Sequence, residues 1–162
     1  MSAKRVFSSD VHLGAGRSSE ESRDPGRYKH DWDWLTPDET ANFENFFRHL
    51  HSGYEILLGD IFDTWIFPHD MVPPTMEELI RADKNAGVVK RLNELAKKVK
   101  VFYVPGNHDM EATEGLIKDL FPDIIYCHER FSAGLLIVEH GHRYAMFNAD
   151  PRFSDHIMGL LP

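Results

Sequence analysis

Cysteine is almost absent from this 162-residue chain, and a long apolar run is missing altogether. The single cysteine, Cys127, cannot form a disulfide within the chain, which favours a reducing compartment. No stretch approaches the roughly 20 apolar residues that a transmembrane helix needs, and the N-terminus lacks the apolar segment of a signal peptide. We therefore predict a soluble, cytoplasmic protein without a transmembrane segment.

Positive charge is also scarce, since 18 Lys and Arg residues face 26 Asp and Glu residues and leave a formal net charge of −8. Bulk attraction to nucleic acid or to an anionic membrane is therefore not expected, and we do not predict nucleic acid as a partner. The length suits one compact domain, and 42% hydrophobic residues can build its core. Ten histidines beside one cysteine indicate that a metal site here would use nitrogen and oxygen ligands.

The pattern of apolar residues predicts strands that alternate with helices, which is typical of an α/β protein. Thr36, Pro37 and Glu39 form the signature of a helix start, with Thr36 as the N-cap. We predict helices over residues 37–50, 76–98 (with an interruption near Gly87) and 111–121. We predict strands over residues 4–9, 54–58, 99–104, 124–127 and 135–138. Residues 14–35 are polar and rich in Gly, Ser and Arg, so we predict a long surface loop there.

Side chains that bind metals follow four of the predicted strands. They are Asp10 and His12 after the first strand, Asp60 after the second, Asn107, His108 and Asp109 after the third, and His140 and His142 after the last. In an open α/β sheet, ligands bind beyond the carboxyl ends of the strands. Asp10 and His12 are two residues apart, so in an extended chain both would point to one face. Each group alone is common in turns, but their joint occurrence predicts a metal site.

This order of blocks resembles the calcineurin-like metallophosphoesterases. Their pattern is Asp-x-His, Gly-Asp-x-x, Gly-Asn-His-Asp, a lone His after a strand, and Gly-His-x-His. The first four blocks occur here at residues 10–12, 59–62, 106–109 and 140. The resemblance implies two facing mixed β-sheets flanked by helices in four layers, with a dinuclear metal site at one end. It also implies hydrolysis of a phosphomonoester or phosphodiester.

The resemblance further implies a role for each matching residue. Asp10 and His12 would hold the first metal ion, Asp60 would bridge both ions, and Asn107 and His140 would hold the second. Two divalent ions about 3.5–4 Å apart lower the pKa of a shared water and neutralise charge on the phosphoryl oxygens. Mixed His, Asp and Asn ligation favours Mn, with Fe or Zn as alternatives.

His108 would be the catalytic residue, acting at the leaving-group oxygen as a general acid or as a charge stabiliser. Asp63 and Asp109 could orient the ligands through hydrogen bonds. His142 could reach the substrate, and Arg17 could contact a phosphate from the loop. Each of these four supporting residues has an ordinary alternative as a turn, edge or surface residue.

The closing Gly-His-x-His block has no match, because His156 is the only histidine after residue 142. One interpretation is that residues 1–162 form a single domain without its C-terminal portion, so that one or two metal ligands are missing. In the other, His140 and His142 supply the His-x-His pair and His128 serves as the lone His, although Glu139 stands where the family has glycine.

The substrate stays open between a phosphorylated small molecule and a lipid-linked one. Residues 59–65, together with Gly141, resemble the UDP-2,3-diacylglucosamine diphosphatase branch, which cleaves a nucleotide-lipid pyrophosphate in lipid A synthesis. That branch commonly has Arg in place of His108 and Asp in place of His142. His108 instead suits general phosphoesterases and nucleases. A non-catalytic binding scaffold with this fold is a further alternative, although such proteins typically lose the His of the third block. The oligomeric state is not predicted.

Overall fold

The computed structural model describes residues 4–14, 35–51, 54–65, 67 and 73–144. Arg17, His156 and nearly all of the predicted loop over 14–35 lie outside the described residues. The strands are β1 (Lys4–Ser9), β2 (Tyr54–Gly59), β3 (Lys100–Tyr103), β4 (Ile125–Tyr126), β5 (Phe131–Ala133) and β6 (Leu136–Val138). The α-helices are α1 (Pro37–Arg48), α2 (Met76–Arg81), α3 (Ala86–Ala96) and α4 (Glu114–Leu120), and short 3₁₀ turns occupy Asp83–Asn85 and Gly141–Tyr144.

The first four strands form one parallel sheet in the order β1-β2-β3-β4. Because neighbouring strands are parallel, their carboxyl ends meet at one edge of the sheet. β5 and β6 pair antiparallel as a hairpin. The predicted α/β class is confirmed, and the second layer of the predicted sandwich is represented among the described residues by this hairpin.

Opposite faces of the sheet pack against different elements, since successive side chains of a strand point to opposite sides. Val101 and Tyr103 of β3 belong to the main core, which also contains buried residues from all four helices. Phe102, between them, packs in a smaller cluster with Val104 and with Phe131 of the hairpin. The helices and the hairpin therefore cover the two faces of β3. No helix in the described part of the chain is long and apolar enough to cross a membrane.

The starts of α1 and α2 follow the sequence signals closely. Thr36 Oγ1 accepts a hydrogen bond from Glu39 N (3.3 Å), and Glu39 Oε2 accepts one from Thr36 N (2.8 Å). Thr75 and Glu78 repeat this capping box at the start of α2. Both boxes satisfy backbone groups that a helix start leaves without partners.

The sequence prediction was wrong in three details. The second predicted helix breaks at Ala82, whose ψ of 135° is extended, and not at Gly87, which lies inside α3. The buried Asn85 side chain stabilises this break, since its Nδ2 donates to Leu79 O and to Gly14 O at 2.9 Å each. The third helix begins at Glu114, and 111–113 precede it because Thr113 is its N-cap.

The third error is the missed strand β5. It pairs with β6 through a two-residue turn in which Gly134 has a φ of 63°. Such hairpin turns need a residue that tolerates positive φ, so Gly134 was the available signal.

Candidate metal centre

The carboxyl ends of β1 and β2 continue side by side beyond the sheet. Val11 N and His12 N both donate to Asp60 O, at 2.9 and 3.2 Å, and Leu13 N donates to Ile61 O at 2.8 Å. These bonds place the chain after β1 directly against the chain after β2. Asp10, His12 and Asp60 are therefore held together by backbone pairing, as their positions at the strand ends predicted.

Three residues of this region have left-handed backbone conformations. The φ angles are 57° at Asp10, 54° at His12 and 44° at Asp60, and no other non-glycine residue among those described has a positive φ. The extended chain that the sequence analysis assumed for Asp10 and His12 is therefore wrong. An L-residue in this conformation costs roughly 1–2 kcal/mol, and such strain concentrates at functional sites.

Asp60 lies at the centre of the site, with 1% of its surface exposed. Its Oδ1 accepts a hydrogen bond from His108 N at 3.0 Å. Its Oδ2 is buried and accepts no hydrogen bond from any described residue, although His140 Nε2 lies 3.1 Å away. That short approach without hydrogen-bond alignment is what two ligand atoms aimed at a shared ion would show.

Gly106 makes room for the Asp60 carboxylate. A Cβ atom at this position would lie 2.0 Å from Asp60 Oδ1, a distance that no real side chain tolerates. The glycine is therefore required by close packing against the site. Asn107 follows it and is buried, with 5% of its surface exposed.

Two groups of ligand atoms share Asp60, and within each group all the atoms lie within 4.8 Å of one another. One group contains His12, Asp60 and His108, and the other contains Asp10, Asp60 and His140. The residues therefore fit divalent metal ions, which would satisfy the open carboxylate oxygen of Asp60. The grouping differs from the pairing that the family resemblance implies, because Asp10 joins His140 and His12 joins His108.

Asp63 is a buried carboxylate that faces two of these histidines. His12 Nδ1 donates to Asp63 Oδ2 at 2.9 Å, and His108 Nδ1 lies 3.0 Å from the same oxygen, too poorly aligned for a hydrogen bond. Trp65 N donates to Asp63 Oδ1 at 2.8 Å. Burial alone would raise the pKa of Asp63, but its contacts with His108 and His12 outweigh burial and hold that pKa well below its usual range. The hydrogen bond to Asp63 raises the pKa of His12.

Asp109 is fully buried and accepts three hydrogen bonds. They come from Gly106 N at 2.6 Å, Ile61 N at 3.0 Å and the Tyr103 hydroxyl at 2.5 Å. Burial and the nearby charge of Asp60 raise the pKa of Asp109 to about 7, against the opposing effect of these donors. Asp109 therefore supports the backbone around Asp60 from behind, and its predicted role in orienting ligands stays a prediction.

The other predicted residues fall in different places. His142 contacts His140, with 3.2 Å between their Nδ1 atoms. His128 lies 3.1 Å from Glu114 of α4 and belongs to neither group of ligand atoms among the described residues. The structure therefore brings His140, rather than His128, to Asp60.

Two residues that contact the site were not predicted from the sequence. Trp65 packs against the His108 ring, with 4.4 Å between ring centroids and 33° between ring planes. Tyr103 lies in the strand predicted over residues 99–104, and no role was predicted for it. A buried tyrosine needs a partner for its hydroxyl, and that need was the signal for Tyr103.

The family model of the calcineurin-like phosphoesterases matches residues 3–158. Because this match spans almost the whole chain, the chain belongs to that family. Members of the family are phosphoester hydrolases that depend on divalent metal ions, so the chain is an enzyme of this class. No curated protein matches the chain.

Proposed function

We propose that this calcineurin-like phosphoesterase hydrolyses a phosphomonoester or phosphodiester with two divalent metal ions at the carboxyl edge of its parallel sheet. The observation that carries the proposal is the Asp60 carboxylate. It is buried, its Oδ2 accepts no hydrogen bond from the described residues, and it belongs to both groups of ligand atoms. A carboxylate shared in this way suits a bridging ligand.

The proposed ligands are those that the family resemblance implies: Asp10, His12, Asp60, Asn107 and His140. Their mixture of nitrogen and oxygen donors favours Mn²⁺, with Fe or Zn as alternatives. When bound, the ions supply an activated water and neutralise charge on the phosphoryl oxygens. The positive charge of the ions is needed, because a chain with a net charge of −8 would otherwise repel an anionic substrate.

The chain's own residues position the proton donor. Asp63 lies against Nδ1 of His108, and Trp65 packs on the face of the same ring. These contacts orient the imidazole and leave Nε2 as the nitrogen that can donate a proton to the leaving-group oxygen. Asp63 also accepts a hydrogen bond from His12 Nδ1, so one carboxylate contacts a proposed metal ligand and the proposed acid together.

A UDP-2,3-diacylglucosamine-type pyrophosphate remains the second candidate substrate. The sequence over 59–65 favours it, and Trp65 is placed at the site beside His108. The presence of His108 favours simpler phosphoesters, since that branch commonly has Arg there. The contact between His108 and Asp63 speaks against a non-catalytic scaffold. The cytoplasmic location and the single domain over 1–162 stay predictions.

The test is hydrolysis of p-nitrophenyl phosphate and bis-p-nitrophenyl phosphate by the full chain, with and without added Mn²⁺. Changes to outer partners of metal ligands already cost about 10–100-fold, so Asp60→Asn should lower the Mn²⁺-dependent rate by more than ~100-fold. Asp123→Asn changes an exposed carboxylate outside both ligand groups and is the matched control, with unchanged activity.

The proposal would be contradicted if Mn²⁺ did not change the hydrolysis rate of the folded wild-type chain with either substrate. It would also be contradicted if the Asp60→Asn variant were as active as the wild type. Hydrolysis of a UDP-linked diacyl substrate much faster than of either ester would select the second candidate.

A further inference from the structure

Asp109 joins three parts of the chain around the site. Its carboxylate accepts hydrogen bonds from Ile61 N after β2, from Gly106 N after β3, and from the hydroxyl of Tyr103 at the end of β3. Its backbone carbonyl accepts a fourth, from Ala112 N. The carboxylate is therefore a fixed junction between the loops that follow β2 and β3.

Both of those loops touch Asp60. Ile61 is the next residue in the chain, so the position of its amide sets the backbone of Asp60. Gly106 faces the Asp60 carboxylate so closely that a Cβ there would lie 2.0 Å from Oδ1. Any shift of Asp109 would consequently move the two surfaces that hold the Asp60 side chain.

We propose that Tyr103 is a positioning residue for the metal centre and acts through Asp109. The inference rests on the proposed function. The Tyr103 hydroxyl donates at 2.5 Å to Asp109 Oδ2, the same oxygen that accepts from Ile61 N. Without that donor, a fully buried carboxylate loses one of its three partners and must rotate or draw its remaining donors closer. Either movement displaces Ile61 or Gly106, and Asp60 with them.

Tyr126 provides a matched control within the same structure. Its ring stacks near that of Tyr103, with 6.5 Å between centroids, and its hydroxyl donates to the backbone carbonyl of Ala112 at 2.6 Å. Tyr126→Phe therefore removes an equivalent hydroxyl from the same region. The hydrogen bond that is lost goes to the carbonyl of Ala112 and not to the carboxylate of Asp109.

The test measures Mn²⁺ affinity by isothermal titration calorimetry on the full chain, together with thermal unfolding of the metal-free protein. We expect Tyr103→Phe to weaken Mn²⁺ binding by about 10-fold or more, and Tyr126→Phe to change it by less than about twofold. A merely structural role would lower the melting temperature in both variants and leave Mn²⁺ affinity unchanged in both.

A double-mutant cycle keeps the inference testable if one variant folds poorly. Asp109→Asn, which retains Tyr103, should weaken Mn²⁺ binding by a similar factor. The double variant should bind Mn²⁺ no more weakly than the single variant with the lower Mn²⁺ affinity. Additive losses, or Tyr103→Phe binding Mn²⁺ like the wild type, would overturn the inference alone. A wild-type chain that binds no Mn²⁺ would overturn the proposed function as well.

Discussion

Helices α1, α2 and α4 begin with side chains that satisfy their backbone locally, whereas the loops after β1 and β2 hold their backbone against local preference. α1 and α2 each start with a complete capping box, from Thr36 and from Thr75. At the strand ends, Asp10, His12 and Asp60 take left-handed φ angles. Two carboxylates there, Asp60 and Asp109, are also buried close enough for the charge of one to raise the pKa of the other.

The difference shows where the free energy of folding is gained and where it is used. The capped helices and the core that they form with β2 and β3 stabilise the chain in the usual way. The strand-end loops are held in place by that frame and by backbone bonds such as Val11 N to Asp60 O. Strain and buried charge at the site should therefore be measurable as instability that the rest of the molecule compensates.

The largest expected effect is a fall in stability of the metal-free protein as the pH rises from 4.5 to 7. The pKa of Asp109 is raised to about 7 in the fold, mainly by burial and by Asp60, whereas an unfolded aspartate titrates near ~3.9. In this range the folded state binds more protons than the unfolded state, so the free energy of unfolding falls with pH, by roughly 3 kcal/mol from Asp109 alone. His12, whose pKa is also raised, adds a loss above about pH 6.5.

Urea unfolding at several pH values, with a chelator present, measures this slope. Asp109→Asn should flatten it, since the amide does not titrate. As the pH is lowered below about 4, the free energy of unfolding should decrease, because the lowered pKa of Asp63 means that its ionised form stabilises the fold. A stability that rises between pH 4.5 and 7 would show that buried charge at the strand ends does not oppose folding.

Gly106→Ala should produce the next largest effect. The new Cβ would meet Asp60 Oδ1 at 2.0 Å, and we expect a loss of about 3 kcal/mol in the free energy of unfolding. Mn²⁺ affinity should fall in the same variant, because Asp60 has to move.

Gly115→Ala sharpens the comparison from the helical side of the molecule. Gly115 lies in α4, and a Cβ atom added there would meet nothing within 4 Å, so alanine should stabilise the helix by up to ~1 kcal/mol. Denaturant unfolding of both variants gives the two values. Equal effects of the two substitutions would mean that the strand-end loops are no more tightly packed than an exposed helix.

The capped start of α1 could be predicted from the sequence because its cause is local. Thr36 and Glu39 are three residues apart, and the capping box depends on nothing else in the chain. The proximity of Asp10 and Asp60 could be predicted as well, because parallel strands bring their carboxyl ends to one edge of the sheet whatever sequence lies between them.

What the sequence could not predict depends on distant partners. The break at Ala82 is stabilised by Asn85 bonding to Gly14, far away in the chain. The left-handed backbone of His12 accompanies its hydrogen bond to Asp60 O and the contact of its ring with Asp63. The link from Tyr103 to Asp109 joins two residues that are close in sequence, but only the buried fold forces their side chains together.

The smallest expected effect is also the most direct test of strain at the strand ends. Asp10 has a φ of 57°, where glycine carries no Cβ penalty, and its side chain is 63% exposed. Asp10→Gly should therefore stabilise the metal-free chain by about 0.5 kcal/mol, or roughly 1–2 °C in melting temperature, while weakening Mn²⁺ binding. Asp38→Gly, in the first turn of α1, should lower the melting temperature by a similar amount, because glycine favours helices less and the helix start loses a negative charge. Differential scanning fluorimetry measures the direction of each change in melting temperature. A rise for Asp10→Gly and a fall for Asp38→Gly would show that the helix start follows local backbone preference and that the candidate metal site opposes it. Changes in the same direction would contradict this comparison.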